Sequence, residues 1–391
     1  MKVITRTVWI LSLVSLFTDV ASEMLYPVMP IYLKEIGFSI LLIGVLEGVA
    51  EATAGLSKSY FGKLSDVSGK RLPFVRIGYL LSAVSKPMMA VFVYPLWVLF
   101  SRTIDRFGKG IRTGARDALL SDEATPQTKG QVFGFHRAMD TVGAVIGPSV
   151  ALIYLYLFPG NYKALFLLAF IPGIVAISFT FLLKEAKRES RKFELTPVSF
   201  FSFVQYWKES PSTYKKLVAG LLAFTLINSS DVFLLLKIKE AGLSDTTIIG
   251  VYVFYNLVYA LAAFPLGKLS DKIGFKRTII FGFTVFAFVY LGMSISNELH
   301  EFVIMFLLYG IYAAATESVA KAWISNISEK KDIATAIGTY TGFQSVFTMI
   351  ASSFAGFLWL TLGSSSIFLF TSATTFLVIL YLIIVVNRDG R

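Results

Sequence analysis

Apolar runs of about twenty residues recur along the whole chain, at about 8–30, 40–61, 73–94, 95–116, 131–157, 162–183, 214–236, 246–267, 276–296, 301–324, 333–361 and 366–386. As a helix, each run rises about 1.5 Å per residue and crosses the roughly 30 Å of hydrocarbon in a bilayer. Inside lipid every backbone N–H and C=O must be bonded within the protein, which leaves helices or a closed barrel. A barrel would show stretches of about ten residues with alternating polarity. The chain shows none, so twelve helices are expected. Composition agrees: 55% of residues are apolar and only 16% charged, against roughly 25% charged in soluble proteins. A lipid bilayer is therefore an expected partner.

The formal charge of +11 suits nucleic acid, but in a membrane chain it reads as topology, because Lys and Arg collect on the cytoplasmic side. No nucleic-acid partner is expected. The basic start, Met1 to Arg6, resembles a signal peptide. The run that follows is too long, lacks a small-residue cleavage site and contains Asp19, so it stays as the first helix. With the amino terminus in the cytoplasm, the loops at 63–71, 184–216, 268–277 and 329–332 are internal, and little more than Lys34, Lys163, Lys237 and Lys239 faces outward. Both termini are expected in the cytoplasm of a multi-pass protein of the plasma or inner membrane. The long polar stretch divides the chain into a six-helix bundle at 1–184, a linker at 185–213 and a second six-helix bundle at 214–391.

Self-comparison sharpens that division. Gly62-Lys63-Leu64-Ser65-Asp66 follows the second span and continues to Gly69, Lys70 and Arg71. Gly267-Lys268-Leu269-Ser270-Asp271 follows the eighth and continues to Gly274, Lys276 and Arg277. The same pentapeptide pattern at the same position of each half indicates a duplicated unit. Parallel repeats of this kind are a transporter architecture. The Gly-x-Leu-x-Asp-x-x-Gly-x-basic pattern resembles the signature loop of the major facilitator superfamily, and the resemblance covers the whole chain. It implies an all-α polytopic fold of twelve transmembrane helices in two pseudo-symmetric bundles. It also implies a cytoplasmic gate at Gly62, Asp66, Gly69 and Arg71, with Asp271 and Arg277 in the weaker second copy.

In the fifth span, Gly143-Ala144-Val145-Ile146-Gly147-Pro148 resembles the motif of the proton-antiporter branch. Ala151 and Leu152 stand where that pattern continues with glycines. Small residues let helices approach and Pro bends them, so Gly143, Gly147 and Pro148 are read as a hinge or a packing seam.

Ionisable groups inside spans are costly and point to function. Asp19 and Glu23 lie four residues apart in the first span, and Glu47 and Glu51 in the second. Each pair shares a helical face. The fourth span carries Arg102, Asp105, Arg106, Lys109 and Arg116 on one stripe. Arg102 lies in a stretch that loosely resembles the family's fourth-helix motif, which would link it to proton transfer. Lys86, His136, Arg137 and Asp140 add further charge. Asp19, Glu23, Glu47, Glu51, Arg102 and Asp105 are thus the expected groups for proton or substrate coupling. Asp19, Glu51 and Arg102, at comparable depth, are expected to approach one another. In the second half, Asn228, Asp231, Tyr255 and Glu317 are expected to line a substrate pocket, with Tyr252, Asn256, Tyr259 and Lys321 nearby.

Enzymatic signatures are missing. Gly108-Lys109-Gly110 lacks the hydroxyl residue and the glycine spacing of a phosphate loop, and no zinc-protease or serine-hydrolase motif occurs. The absence of Cys and the two His argue against a soft-metal site. The reading is a non-enzymatic, monomeric secondary transporter with no cofactor and no bound metal. It would work by alternating access and couple protons to export of an organic cation or drug-like solute. The alternatives are a divalent metal cation or an organic anion as substrate, or a non-transporting receptor with the same fold.

Overall fold

The computed structural model describes residues 3–185 and 202–386, apart from Pro27, Pro30, Ile31, Lys34, Glu35 and Ser39. The side chains of 40–52, Leu56, Ser202, Phe203, Asp245 and Thr246 are likewise outside the description. Among the described residues there are fourteen α-helices and no strand. They are α1 (Arg6–Glu23), α2 (Ile40–Ser68), α3 (Leu72–Val91), α4 (Pro95–Asp122), α5 (Lys129–Leu157), α6 (Tyr162–Thr180) and α7 (Ser202–Glu209). There follow α8 (Ser212–Ile227), α9 (Val232–Glu240), α10 (Asp245–Ile273), α11 (Phe275–Met293), α12 (Leu299–Ile327), α13 (Ile333–Leu362) and α14 (Ser364–Val385).

Local chemistry sets the boundaries. Thr5 and Ser244 cap α1 and α10 by accepting from Val8 and Thr247 N–H, and Glu298 with Glu301 forms a capping box on α12. Pro95 opens α4 at a position where its missing N–H costs nothing. Nine stretches of the described residues are long and apolar enough to span a membrane, with α8 and α9 counted as one. To these the twelve-helix fold adds α2, and α1 and α4, whose carboxylates and basic residues lower their hydropathy.

Two spans are not the continuous helices that the sequence reading expects, and the first, expected over 8–30, leaves the helix at Glu23 and turns at 24–26. The seventh span, expected to run unbroken over 214–236, stops at Ile227 and restarts at Val232. Asn228, Ser229, Ser230 and Asp231 fill the gap. Such side chains offer the backbone local hydrogen bonds that compete with a helix. Here they also find tertiary partners: Ser230 N–H donates to Ser352 Oγ at 3.2 Å.

The described residues form two compact units. The first comprises 1–123, 139–208 and 329–342, and the second 124–138, 209–328 and 343–391. In the first, α3 packs on α4 and α6, α2 on α4, and α1 on α6. In the second, α11 packs on α12 and α14, α10 on α12, and α8 on α14. The pairings match one for one, as a duplication requires. The units do not follow chain order throughout. The start of α5 belongs with the second unit, and the start of α13 with the first.

Each unit has its own core. In the first, Tyr32, Met24, Leu165 and Phe166 pack in one buried cluster. In the second, Phe224 stacks on Phe283 with ring centroids 3.8 Å apart.

Candidate functional site

The two signature loops build the same device. Gly69 and Gly274 have φ of 65° and 95°, a region only glycine enters without strain. A side chain at Gly62 would meet Ala334 O at 2.5 Å, and one at Gly267 would meet the Gly130 backbone. These glycines let the first turns of α13 and α5 approach. Asp66 then accepts from Thr335 N–H at 2.7 Å and Thr335 Oγ1 at 2.8 Å, at the amino end of α13. Asp271 accepts from Gly130 and Gln131 N–H, both at 2.8 Å, at the amino end of α5. A carboxylate at a helix amino terminus satisfies orphan N–H groups and complements the helix dipole.

The copies differ in what surrounds the carboxylate. Asp66, beyond the end of the second span, pairs with Arg71 at 3.0 Å, and Arg71 reaches Asp122 at 3.5 Å. Burial pushes the Asp66 carboxyl up from its ordinary value, while Arg71 and the Thr335 hydrogen bonds pull it down. Glu185 braces the loop by accepting from Arg71 and Leu72 N–H, each at 2.9 Å. In the second copy Arg277 is exposed. Lys276 makes the contact instead, donating to Ile383 and Val386 carbonyls at 3.0 and 2.6 Å at the end of α14. Sequence reading named Arg277; the last-turn carbonyls of α14 select its neighbour.

In the first unit, Gly143 and Gly147 seat α1 on α5. A side chain at Gly143 would meet Leu16 O at 2.5 Å and Asp19 Cβ at 2.8 Å, and one at Gly147 would meet Val20 O at 2.7 Å. α5 stays helical through Pro148. On that seam Asp19 lies beside Asp140, with Glu23 and Lys109 as neighbouring charges. Asp140 also accepts from Ser15 Oγ.

A second cluster joins α3 to α4. Lys86 Nζ meets Asp105 Oδ1 at 2.6 Å, both side chains nearly buried, with Arg102 and Arg106 close by. Arg112 donates to Ser82 Oγ and lies over the Tyr79 ring, 4.5 Å from its centroid. Arg116 pairs with Asp117 at 2.8 Å. Arg112 escaped the sequence reading although it continues the three-and-four spacing of the α4 stripe. The expected approach of Asp19, Glu51 and Arg102 turns on Glu51, whose surroundings fall outside the description. The side chains of Glu47 and Glu51 lie outside the described residues.

In the second unit the gap between α8 and α9 faces a wall of tyrosines. Tyr309 OH donates to Asp231 Oδ1 at 2.6 Å, and Asn228 Nδ2 donates to Tyr312 OH at 3.1 Å. Tyr255 packs against Tyr309 at 5.1 Å between centroids, and Tyr309 against Tyr312 at 5.2 Å. Tyr255 also neighbours Tyr252 and Tyr259, each at 6.1 Å. Arg137 on α5 meets Glu317 on α12 at 2.5 Å and donates to Tyr259 OH. The structure thus brings together Asn228, Asp231, Tyr255, Tyr259 and Glu317, all named from sequence. It adds Tyr309 and Tyr312, whose three-residue spacing along α12 was a readable signal.

The family model described as Major Facilitator Superfamily matches residues 11–253 and 218–391. An uncharacterised MFS-type transporter of Methanocaldococcus jannaschii is 31% identical over 91% of this chain and 89% of its own length. The multidrug resistance protein MdtG of Proteus mirabilis is 25% identical over 93% of this chain and 92% of its own. Among solved structures, the human organic anion transporter MFSD10 superposes with a TM-score of 0.79 at 16% identity, covering 96% of this chain and 99% of that one; at that identity it speaks for the fold alone. Duplicated signature loops, matched helix packing in both units and a family match along the whole length agree: this chain belongs to the major facilitator superfamily, a family of membrane transporters and not of enzymes.

Proposed function

We propose that the chain is a secondary transporter that works by alternating access and exports a small organic cation or drug-like solute in exchange for protons. The observation that carries the substrate class is Asp231, which accepts from Tyr309 in a wall of Tyr255, Tyr259 and Tyr312 with Glu317 close by. Aromatic faces and carboxylates together attract organic cations. The multidrug resistance relative in Proteus mirabilis supports the same class.

In this reading protons are carried by the Asp19–Asp140 pair with Glu23, since two touching carboxyls share one proton more readily than both ionise. Arg102 and Asp105 act in coupling through the Lys86 network. Gly62, Asp66, Gly69 and Arg71, with Asp271, release and re-engage the amino ends of α13 and α5 as the gate moves. Gly143 and Gly147 let α1 shift against α5. The 6+6 domain division, a monomer, cytoplasmic termini and a plasma or inner membrane location complete the proposal.

An organic anion is the second reading, favoured by the basic row of α4. Its Lys86, Arg112 and Arg116, however, already have protein partners. Purified protein in liposomes with an imposed pH gradient tests the proposal. Gradient-driven accumulation of a fluorescent organic cation is expected; no accumulation of any solute would favour a receptor. Protease protection of terminal tags in sealed vesicles checks the orientation.

A further inference from the structure

Glu317 stands out on α12. Its flanking residues Thr316 and Ser318 are 6% and 4% exposed, yet its own side chain is 45% exposed, and that of its partner Arg137 is 34% exposed. A solute can reach this pair although residues 312–316 and 318–320 on either side of Glu317 are buried. The Arg137 guanidinium meets the Glu317 carboxylate, donates Nε–H to Tyr259 OH, and lies 5.0 Å from the Tyr259 ring centroid. A carboxylate and an aromatic face converging on a planar cation is the arrangement that holds a free organic cation. Here the chain supplies the cation itself.

We propose that Glu317 and Tyr259 form the head-group subsite for an organic cation, and that Arg137 is a tethered occupant which the substrate displaces. The inference rests on the organic-cation reading above. The partial exposure of the pair makes displacement cheap, since accessible ion pairs contribute only about 0–1 kcal/mol. Asp231 lies within electrostatic reach of both Glu317 and Arg137. It offers a displaced guanidinium a second carboxylate. Apparent affinity is the intrinsic affinity reduced by the fraction of time the subsite is open, so removing the tethered cation tightens binding. An anion subsite centred on Arg137 would behave in the opposite way.

Isothermal titration of the full-length purified protein with tetraphenylphosphonium, with benzoate as the anionic control, tests this. Arg137→Gln is expected to tighten tetraphenylphosphonium binding about two- to sixfold, and Glu317→Gln to weaken it about tenfold or more. Tyr259→Phe, which keeps the ring, should bind close to wild type, while Tyr259→Leu should bind worse. If Arg137→Gln loses its melting transition, Arg137→Lys replaces it, with tightening again expected because the ammonium cannot make the planar contacts. Unchanged or weaker cation binding in the Arg137 variants would overturn the tethered-occupant proposal and leave the transport reading standing. Loss of benzoate binding in Arg137→Gln, with cation binding unaffected, would overturn it in favour of an anion subsite. Absence of cation binding in wild type and every variant would sink both readings.

Discussion

The two units repeat one packing scheme but fill it differently. The first places paired charges inside it: Lys86 with Asp105, Arg116 with Asp117, and Asp19 beside Asp140. The second places rings there, Tyr255 against Tyr309 and Phe224 against Phe283, with Asp231 bonded to Tyr309 and Glu317 paired with the half-exposed Arg137. Buried pairs respond steeply to the gain or loss of one charge, because a lone charge in low dielectric is costly. Aromatic walls adapt to varied apolar solutes while their faces attract cations. One scaffold thus separates a charge-sensitive half from a shape-tolerant half, and the signature loops show the same contrast in miniature.

The largest effect that would sharpen this contrast is on the buried pair. Lys86→Met removes the ammonium that contacts Asp105, leaving the charges of Arg102 and Arg106 nearby, and is expected to destabilise the protein by about 3 kcal/mol, whereas Tyr255→Phe in the second unit should cost far less. Chemical denaturation of both variants in the same detergent checks it, and equal losses would break the comparison. Next comes the α1–α5 seam. Gly143→Val forces a side chain against Leu16 O and Asp19 Cβ, with an expected cost of about 1–3 kcal/mol from overpacking. A variant as stable as wild type would show that the seam yields.

The signature loops come third. Asp66→Asn removes the charge that serves both Arg71 and the amino end of α13, and should cost about 1–2 kcal/mol and slow transport. Asp271→Asn, at a carboxylate that accepts from the Gly130 and Gln131 N–H groups, should cost about half as much. Melting curves and flux for both variants rank the copies, and the reverse order would refute the asymmetry.

Much of the fold was legible because apolar length is a direct physical requirement of a bilayer. Most residues of the apolar runs fall in helices over the described residues, and the repeated pentapeptide fell at equivalent places in two units that pack alike. The break at Asn228–Asp231 was not foreseen. Its Asn, Ser, Ser and Asp were visible, but hydropathy averaged over a span hides four polar residues between apolar flanks. Partner choice was the least readable feature. That Asp66 meets Thr335, or that Lys276 and not Arg277 holds α14, depends on helix ends brought together by tertiary packing. Asp19 and Arg102 were picked out with Glu51 for their depth, while the Asp140 carboxyl beside Asp19 and the Lys86–Asp105 pair near Arg102 depended on how α1, α3, α4 and α5 rotate about their axes.

The central claim is a division of labour, with proton handling in the carboxylates of the first unit and solute recognition in the tyrosine wall of the second. Paired assays of one fluorescent organic cation in proteoliposomes test it most directly: accumulation driven by a pH gradient, and exchange across the membrane without one. Asp19→Asn is expected to keep exchange within about twofold of wild type and to lose accumulation by tenfold or more, while Glu317→Gln loses both. Wild-type accumulation in Asp19→Asn, or undiminished exchange in Glu317→Gln, would contradict the account.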